Sequence, residues 1–432
     1  MKTSAVKCHE LKRSRLFLFL CAIFVIVNLI IFQSFNLRYT IYLQQNSSRP
    51  RVTKFGEKIW NNKTERKILL WTTFFLEKKW VRILQEHFQR YGCDCNITGN
   101  RDDIQTADAV IFHALDLWFW EKLPTYRSKE QIWILFVAES PPHIHYTGMT
   151  WKFPPYIFNW TMSYRSDSTV YAPYGRFRVK KSPGIGTIDF AKTKSKMTAS
   201  LISNCYDDAK RYVHLKELAK YTKVDFYGRC GDKICPRSSE CDEILKTYRF
   251  KITFENSNCR DYITEKFWNA LYSNSIPLVN WKKDQRLPFA PPRSYINIFD
   301  FRSMRDVADY LNFLSTNDTE YNSFFQWRRD YEIEGGDVIW HMFCKLCRKL
   351  KVNPLDAQVV DYLSWMQNDT CQTWSVSIFL QTSSYLKHRS HLQRPISLTY
   401  IMSDMRMDID PVVWALQQRS IYPNDIYTRH RS

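Results

Sequence analysis

The chain of 432 residues holds only 11 Gly and 17 Pro, far too few for collagen or a low-complexity polymer. No internal repeat is visible in it. Acidic residues are the minority, 43 Asp plus Glu against 62 Lys plus Arg, for a formal net charge of +19. That excess suits nucleic acid, an anionic membrane or a phosphorylated small substrate, and it does not choose among them. What the chain has in quantity is apolar and aromatic material: 44% hydrophobic residues, with 15 Trp, 25 Tyr and 28 Phe. Such a chain can bury large cores, and its length suggests two or three domains.

The N-terminus points to a compartment. Residues 16–32 read LFLFLCAIFVIVNLIIF, apolar apart from Asn28, just after Lys7, Lys12, Arg13 and Arg15. A run of this length can span a bilayer, and basic residues before it place residues 1–15 in the cytosol and the remainder outside. A cleaved signal peptide is the competing reading, but no small-x-small site follows at Gln33, Ser34, Phe35 and Asn36. The expectation is an uncleaved type II signal-anchor. Ten of the 12 Cys lie beyond it, an unusual load for a reduced cytosolic protein. Asn-x-Ser/Thr acceptors begin at Asn46, Asn62, Asn96, Asn159, Asn317 and Asn368, and such sites are modified only in the secretory pathway. Anchor, sequons and cysteines together oppose a nucleic-acid partner.

Residues 33–66 mix polar, basic and sequon positions without periodicity and read as a stem. From Lys67 the pattern changes. Apolar runs at 67–75, 109–114 and 132–138 read as parallel strands covered on both faces, with a helical spacing over 76–90. Strand-like 198–203, 224–227, 249–255 and 276–279 alternate with helical 207–221 and 261–272. This alternation predicts an α/β protein with two Rossmann-like, doubly wound domains facing across a cleft, residues 67–190 and 191–350, joined near 176–196.

The segment 250–271, FKITFENSNCRDYITEKFWNAL, is the richest in chemistry. A strand ends near Glu255, a polar loop follows, and Asp261 is placed to cap the next helix. On that helix Tyr262, Glu265, Lys266 and Asn269 would fall on one polar face. Polar side chains at a helix start beyond a strand's carboxyl end stand where open α/β sheets place ligands, and the helix N-terminus favours an anion. A solvated face with an ordinary i, i+4 pair is the plainer alternative.

FENSNCRDYITEKFWNAL closely resembles the signature of the α1,3/4-fucosyltransferases, glycosyltransferase family 10. FVAESPPH (136–143), FNWTMSYRSDSTVYAPYG (158–175), SNCYDDAKRYVHLKEL (203–218) and VDFYGRCG (224–231) match in order over roughly 67–350. CGDKICPR (230–237) and ENSNC look most like invertebrate and plant members. The resemblance implies a GT-B fold, with 67–190 the acceptor side and 191–350 the GDP-fucose side, in a single-pass Golgi membrane protein with a lumenal catalytic domain. It implies inverting transfer of fucose from GDP-fucose to a GlcNAc hydroxyl of a glycoprotein or glycolipid glycan. Glu139 matches the general base, Arg211 and Lys266 the diphosphate cations, and Tyr262, Glu265 and Asn256 further donor-site positions. A strand-end carboxylate in a loop hydrogen bond and a helix-surface Arg are the plainer readings of Glu139 and Arg211. The alternative to an enzyme is a catalytically silent glycan-binding membrane protein on the same fold.

Other lumenal glycosyltransferases bind a metal through Asp-x-Asp. The match found, 408–410, lies far outside the similar region and reads as chance, so no cofactor is required, although stimulation by a divalent cation stays open. Cys93, Cys95, Cys344 and Cys347 could read as a zinc site, but the oxidising compartment argues against it. The resemblance implies that the first two pair with the last two, without saying which joins which. Cys230, Cys235, Cys241 and Cys259 are candidates for local pairs, and Cys205 and Cys371 stay unassigned. Trp118, Phe119 and Trp120 could stack on a sugar or fill the core, and His143 and His145 could assist the acceptor or be ordinary loop residues. Residues 351–432 are an extension of unknown role.

Overall fold

Six strands, β1 (Arg66–Leu70), β2 (Cys95–Thr98), β3 (Ala109–His113), β4 (Ile132–Val137), β5 (Trp160–Ser163) and β6 (Val170–Tyr171), form an all-parallel sheet in the order β2-β1-β3-β4-β5-β6. β7 (Gly175–Val179) leaves this sheet. A second parallel sheet follows: β8 (Lys196–Leu201), β9 (Val224–Tyr227), β10 (Tyr248–Ile252), β11 (Ile276–Val279) and β12 (Ile296–Asn297), in the order β12-β11-β10-β8-β9. Every residue of β3 and β4 is buried, as strands covered by helices on both faces require. Each sheet starts in the middle, goes one way once and then the other, which is the doubly wound 2-1-3-4-5 order.

In this computed structural model the described residues run from 65 to 371, except 119–120, 146, 148, 150–152, 185–188, 206, 237, 283–284, 286, 288–289, 336–337, 353–359 and 368–369. The expected anchor at 16–32, nearly all of the stem, Asn46, Asn62, Asn368, Phe119, Trp120 and the Asp-x-Asp at 408–410 lie outside them. Among the described residues no helix is long and apolar enough to cross a membrane. Both sheets belong to one unit, Lys63–Ser432.

The helices are α1 (Trp80–Tyr91), α2 (Pro141–His145), α3 (Arg211–Leu218), α4 (Ser239–Lys246), α5 (Glu265–Tyr272), α6 (Met304–Thr316), α7 (Asp318–Ser323), α8 (Val338–Val352) and α9 (Tyr362–Gln367). α1 buries Trp80, Leu84, His87 and Phe88, one stripe at helical spacing, and stops at Gly92, whose φ of 62° lets its N–H reach the Phe88 carbonyl. Three helices start later than their apolar spacing predicts, each after a residue in the left-handed region. Phe75 and Leu76 (φ 51° and 60°) make a turn closed by Phe74 and Glu77, so the first helix begins at Trp80 and not at 76. Lys210 (φ 53°) holds α3 back to Arg211. Asp261 (φ 60°) does not cap α5: its carboxylate accepts from the Ser166 N–H at 2.9 Å and the Ser166 hydroxyl at 2.8 Å, and the helix starts at Glu265.

The chain then returns. β13 (Tyr331–Gly335) pairs antiparallel with β7, and α8 buries Trp340, Phe343 and Leu346 in the core of the first sheet, where Tyr362 and Met366 of α9 join it. The segment 338–350 thus packs with the first sheet although it follows the second in sequence. Two disulfides, Cys93–Cys344 and Cys95–Cys347, fasten α8 beside α1 and β2.

Candidate active site

The second sheet changes winding direction between β8 and β10, and the loops at the carboxyl ends of those strands are where such a sheet offers a ligand site. The loop after β8 carries Asp207 and leads into Arg211. Arg211 is 5% exposed; its Nε donates to the Asp207 carboxylate at 2.5 Å, and its outer nitrogens reach the Phe254 carbonyl at 3.5 Å and the Asn204 carbonyl at 3.2 Å. The last two contacts are long for such donors, so Arg211 braces the two loops yet keeps weakly engaged nitrogens. Burial pushes the Asp207 carboxyl up, and the Arg211 charge opposes that.

The loop after β10 is built on Glu255, which is fully buried. Its carboxylate accepts from the Thr264 N–H at 2.7 Å and the Thr264 hydroxyl at 2.9 Å, and lies 3.4 Å from the Lys266 ammonium. Lys266 also donates to the Thr264 hydroxyl at 2.8 Å and to Glu265 at 3.1 Å. Burial disfavours the Lys266 charge, but Glu255 and Glu265 outweigh it and hold the ammonium above the ordinary lysine range. Thr264 occupies the N-cap position, yet its hydroxyl is spent on Glu255 and caps nothing. The first turn of α5 therefore keeps amide donors for an anion, beside a cation that stays charged.

The first sheet supplies the opposite wall. Glu139 stands two residues past the end of β4 and is 5% exposed. Its carboxylate Oε2 accepts from the Tyr262 hydroxyl at 2.7 Å and from the Ser140 N–H at 3.3 Å. The Ser140 and Ser257 hydroxyls are 2.9 Å apart, and His143 joins Ser140 at 2.9 Å and the Asn256 amide at 3.5 Å. Loops from the two sheets thus meet edge to edge, with a carboxylate on one side and two cations on the other.

Residues 191–366 match the family model described as glycosyltransferase family 10 (fucosyltransferase) C-term, and residues 63–175 match fucosyltransferase, N-terminal. The Alpha-(1,3)-fucosyltransferase 7 of Rattus norvegicus is 34% identical over 313 residues, covering 69% of this chain and 79% of that protein. The chain belongs to glycosyltransferase family 10. Alpha-(1,3)-fucosyltransferase fut-1 of Caenorhabditis elegans is 35% identical over 299 residues, or 65% of this chain and 66% of the worm protein. Glycoprotein 3-alpha-L-fucosyltransferase A of Drosophila melanogaster is 36% identical over 264 residues, or 59% of this chain and 50% of the fly protein. The chain thus matches just under two thirds of the worm protein and half of the fly one.

In this family 10 chain the expected site residues are not all where a single helical face would put them. Lys266 and Glu265 share the first turn of α5, but Asn269 is exposed on that helix and Tyr262 precedes it, wholly buried with its hydroxyl on Glu139. Asn256 is 6% exposed and faces His143. Trp118 is half-buried. Burial lowers the pKa of His145. Among the described residues no group of three or more His, Cys, Asp or Glu is arranged to hold a metal ion. The reading of sequence passed over Glu255 and Asp207. The available signals were a charged residue closing an apolar strand run and an acid four residues before Arg211.

All ten Cys of the described residues are paired. Besides the two bridges to α8 they form Cys205–Cys230, Cys235–Cys241 and Cys259–Cys371. The first of these ties the loop after β8 to the turn after β9, where Gly228 (φ 89°) approaches the Ile202 carbonyl too closely for any side chain. The last ties the loop after β10 to the segment behind α9, next to the Arg260 N–H bond to the Thr370 carbonyl at 2.7 Å. Asn96 is exposed on edge strand β2. Asn317 caps α7, accepting from the Glu320 N–H at 3.0 Å. Asn159 is 5% exposed, and its amide oxygen accepts from the Trp133 N–H at 2.8 Å and from Arg127 at 2.7 Å.

Proposed function

We propose that the chain is an inverting α1,3-fucosyltransferase of the Golgi lumen, anchored through residues 16–32, that moves fucose from GDP-fucose to a GlcNAc hydroxyl of a glycoprotein or glycolipid glycan. The observation that carries this reading is the meeting of Glu139, at the carboxyl end of a first-sheet strand, with Tyr262 of the loop that leads to Lys266 at the winding switch of the second sheet. In a GT-B reading the acceptor binds on the side of residues 67–190 and the donor on the side of 191–350. Glu139 removes the proton of the acceptor hydroxyl as its oxygen attacks the anomeric carbon of fucose. The bond from that carbon to the phosphate oxygen breaks on the opposite face, and its electron pair leaves with GDP. Charge growing on the diphosphate is met by Lys266, by the outer nitrogens of Arg211 and by the open amides of α5. Asn256 and Glu265 border the donor. The cationic role at the diphosphate falls to side chains.

The test is transfer by the full chain from GDP-fucose to a panel of N-glycan core, LacNAc and LacdiNAc acceptors. Glu139→Gln is expected to abolish transfer and leave GDP affinity unchanged. Retained activity would remove Glu139 as the base, and no transfer to any acceptor in spite of GDP binding would favour a silent glycan-binding protein.

A further inference from the structure

The base is held by a residue from the other half of the site. Tyr262 has no exposed surface, its ring lies against Tyr164 with centroids 5.0 Å apart, and its own backbone is fixed at both ends. Its N–H donates to the Cys259 carbonyl at 3.1 Å, and its carbonyl accepts from Gln285 Nε2 at 2.7 Å. Just before it in the chain lie Asp261, pinned by Ser166, and Cys259, bridged to Cys371. The backbone carrying Glu139 is equally fixed, since Tyr174 donates to the Ala138 carbonyl at 2.5 Å and Tyr164 to the Glu139 carbonyl at 3.4 Å. Among the described residues, both hydrogen bonds to the carboxylate fall on Oε2. That leaves Oε1 as the oxygen able to receive a proton.

We propose that Tyr262 is a positioning residue for the transfer reaction: its buried hydroxyl holds Oε2 of Glu139 and so turns Oε1 toward the acceptor hydroxyl. The inference rests on Glu139 being the base. The base is then assembled from both sheets, its carboxylate from β4 and its orientation from the loop that precedes α5. Burial, and then the Glu139 charge, push the Tyr262 hydroxyl well above the ordinary tyrosine range, so it remains a donor throughout the working pH range. The resemblance to the family had placed Tyr262 against the donor, but a side chain with no exposed surface and its proton committed to a carboxylate is poorly placed for that role.

The experiment is Tyr262→Phe in the full chain, which keeps the ring and removes only the hydroxyl. Expected is a fall in kcat of roughly ten- to a hundredfold, the cost of a loosened reacting group. KM for GDP-fucose and GDP affinity stay within about twofold of wild type, because donor binding is untouched. An unchanged kcat in Tyr262→Phe, or a raised KM for GDP-fucose with kcat kept, overturns the proposal. A Glu139→Gln enzyme with wild-type activity fails the base assignment itself, an outcome distinct from a dead Glu139→Gln beside an unimpaired Tyr262→Phe.

Discussion

Lys266 is assigned two tasks, neutralising Glu255 and opposing the charge of a leaving diphosphate, and substitution can separate them. The ammonium lies 3.4 Å from a carboxylate with no exposed surface, while the lysine side chain is 25% exposed. At an effective dielectric near 20 the attraction at that distance is about 5 kcal/mol before desolvation is subtracted. Lys266→Met leaves Glu255 with only its Thr264 donors. Breaking a buried pair costs about 3–5 kcal/mol, and with the lysine partly exposed and those donors retained we expect about 2–3 kcal/mol, read as a lower denaturant midpoint without reductant. The same variant should lose roughly a hundred- to a thousandfold in kcat, the usual cost of removing a donor aimed at developing charge. Lys266→Met with Glu255→Gln discharges the carboxylate while keeping an oxygen for the Thr264 N–H. Stability should then return to within about 1 kcal/mol of wild type, as a coupled pair requires, with activity still lost. Recovery of transfer in the double variant would refute the reasoning, since Lys266 would then serve only to neutralise Glu255.

How far these features could be read beforehand depended on how local their causes are. β11 begins and ends where its apolar run does, because a strand covered on both faces must be apolar at nearly every position. The helix starts were less legible. Asp261 looks like a cap, but its partner Ser166 is 95 residues away, and contact between the two exists only once both sheets are formed. Thr264, a good cap by residue type, is diverted in the same way by a buried carboxylate nine residues earlier. Of the site, Glu139 and Lys266 were visible through their motifs. Glu255, inside the clearest of those motifs, read only as the end of a strand, because its partners Thr264 and Lys266 reach it only after the loop folds back. Cys371 had no visible partner for a related reason: it lies beyond the recognisable motifs, 112 residues from Cys259.

Two further outcomes test the packing of the chain. His87 is 2% exposed between α1 and His341, and burial, helped by the charges of His341 and Arg90, pushes its pKa down to about 4 from 6.5. Above pH 6.5 it is neutral in both the folded and unfolded chain and contributes nothing. As pH falls from 6.5 to about 4 the unfolded chain takes up a proton that the folded one refuses, so stability drops by up to about 3 kcal/mol. His87→Phe should flatten that part of the stability profile, and an unchanged slope between pH 6.5 and 4 would show that the proton goes elsewhere. Gly175 pairs with Gly335 where the two crossings of the chain run antiparallel, and a Cβ there would stand 2.2 Å from the indole of Trp268. That indole is 2% exposed on α5, the helix whose first turn carries Glu265 and Lys266, so it has no open space to move into. Gly175→Ala should therefore cost about 1–3 kcal/mol by overpacking, and, because relief requires α5 to shift, should raise KM for GDP-fucose. A variant with lowered stability and an unaltered KM would mean that the ribbon and the first turn of α5 are not mechanically linked.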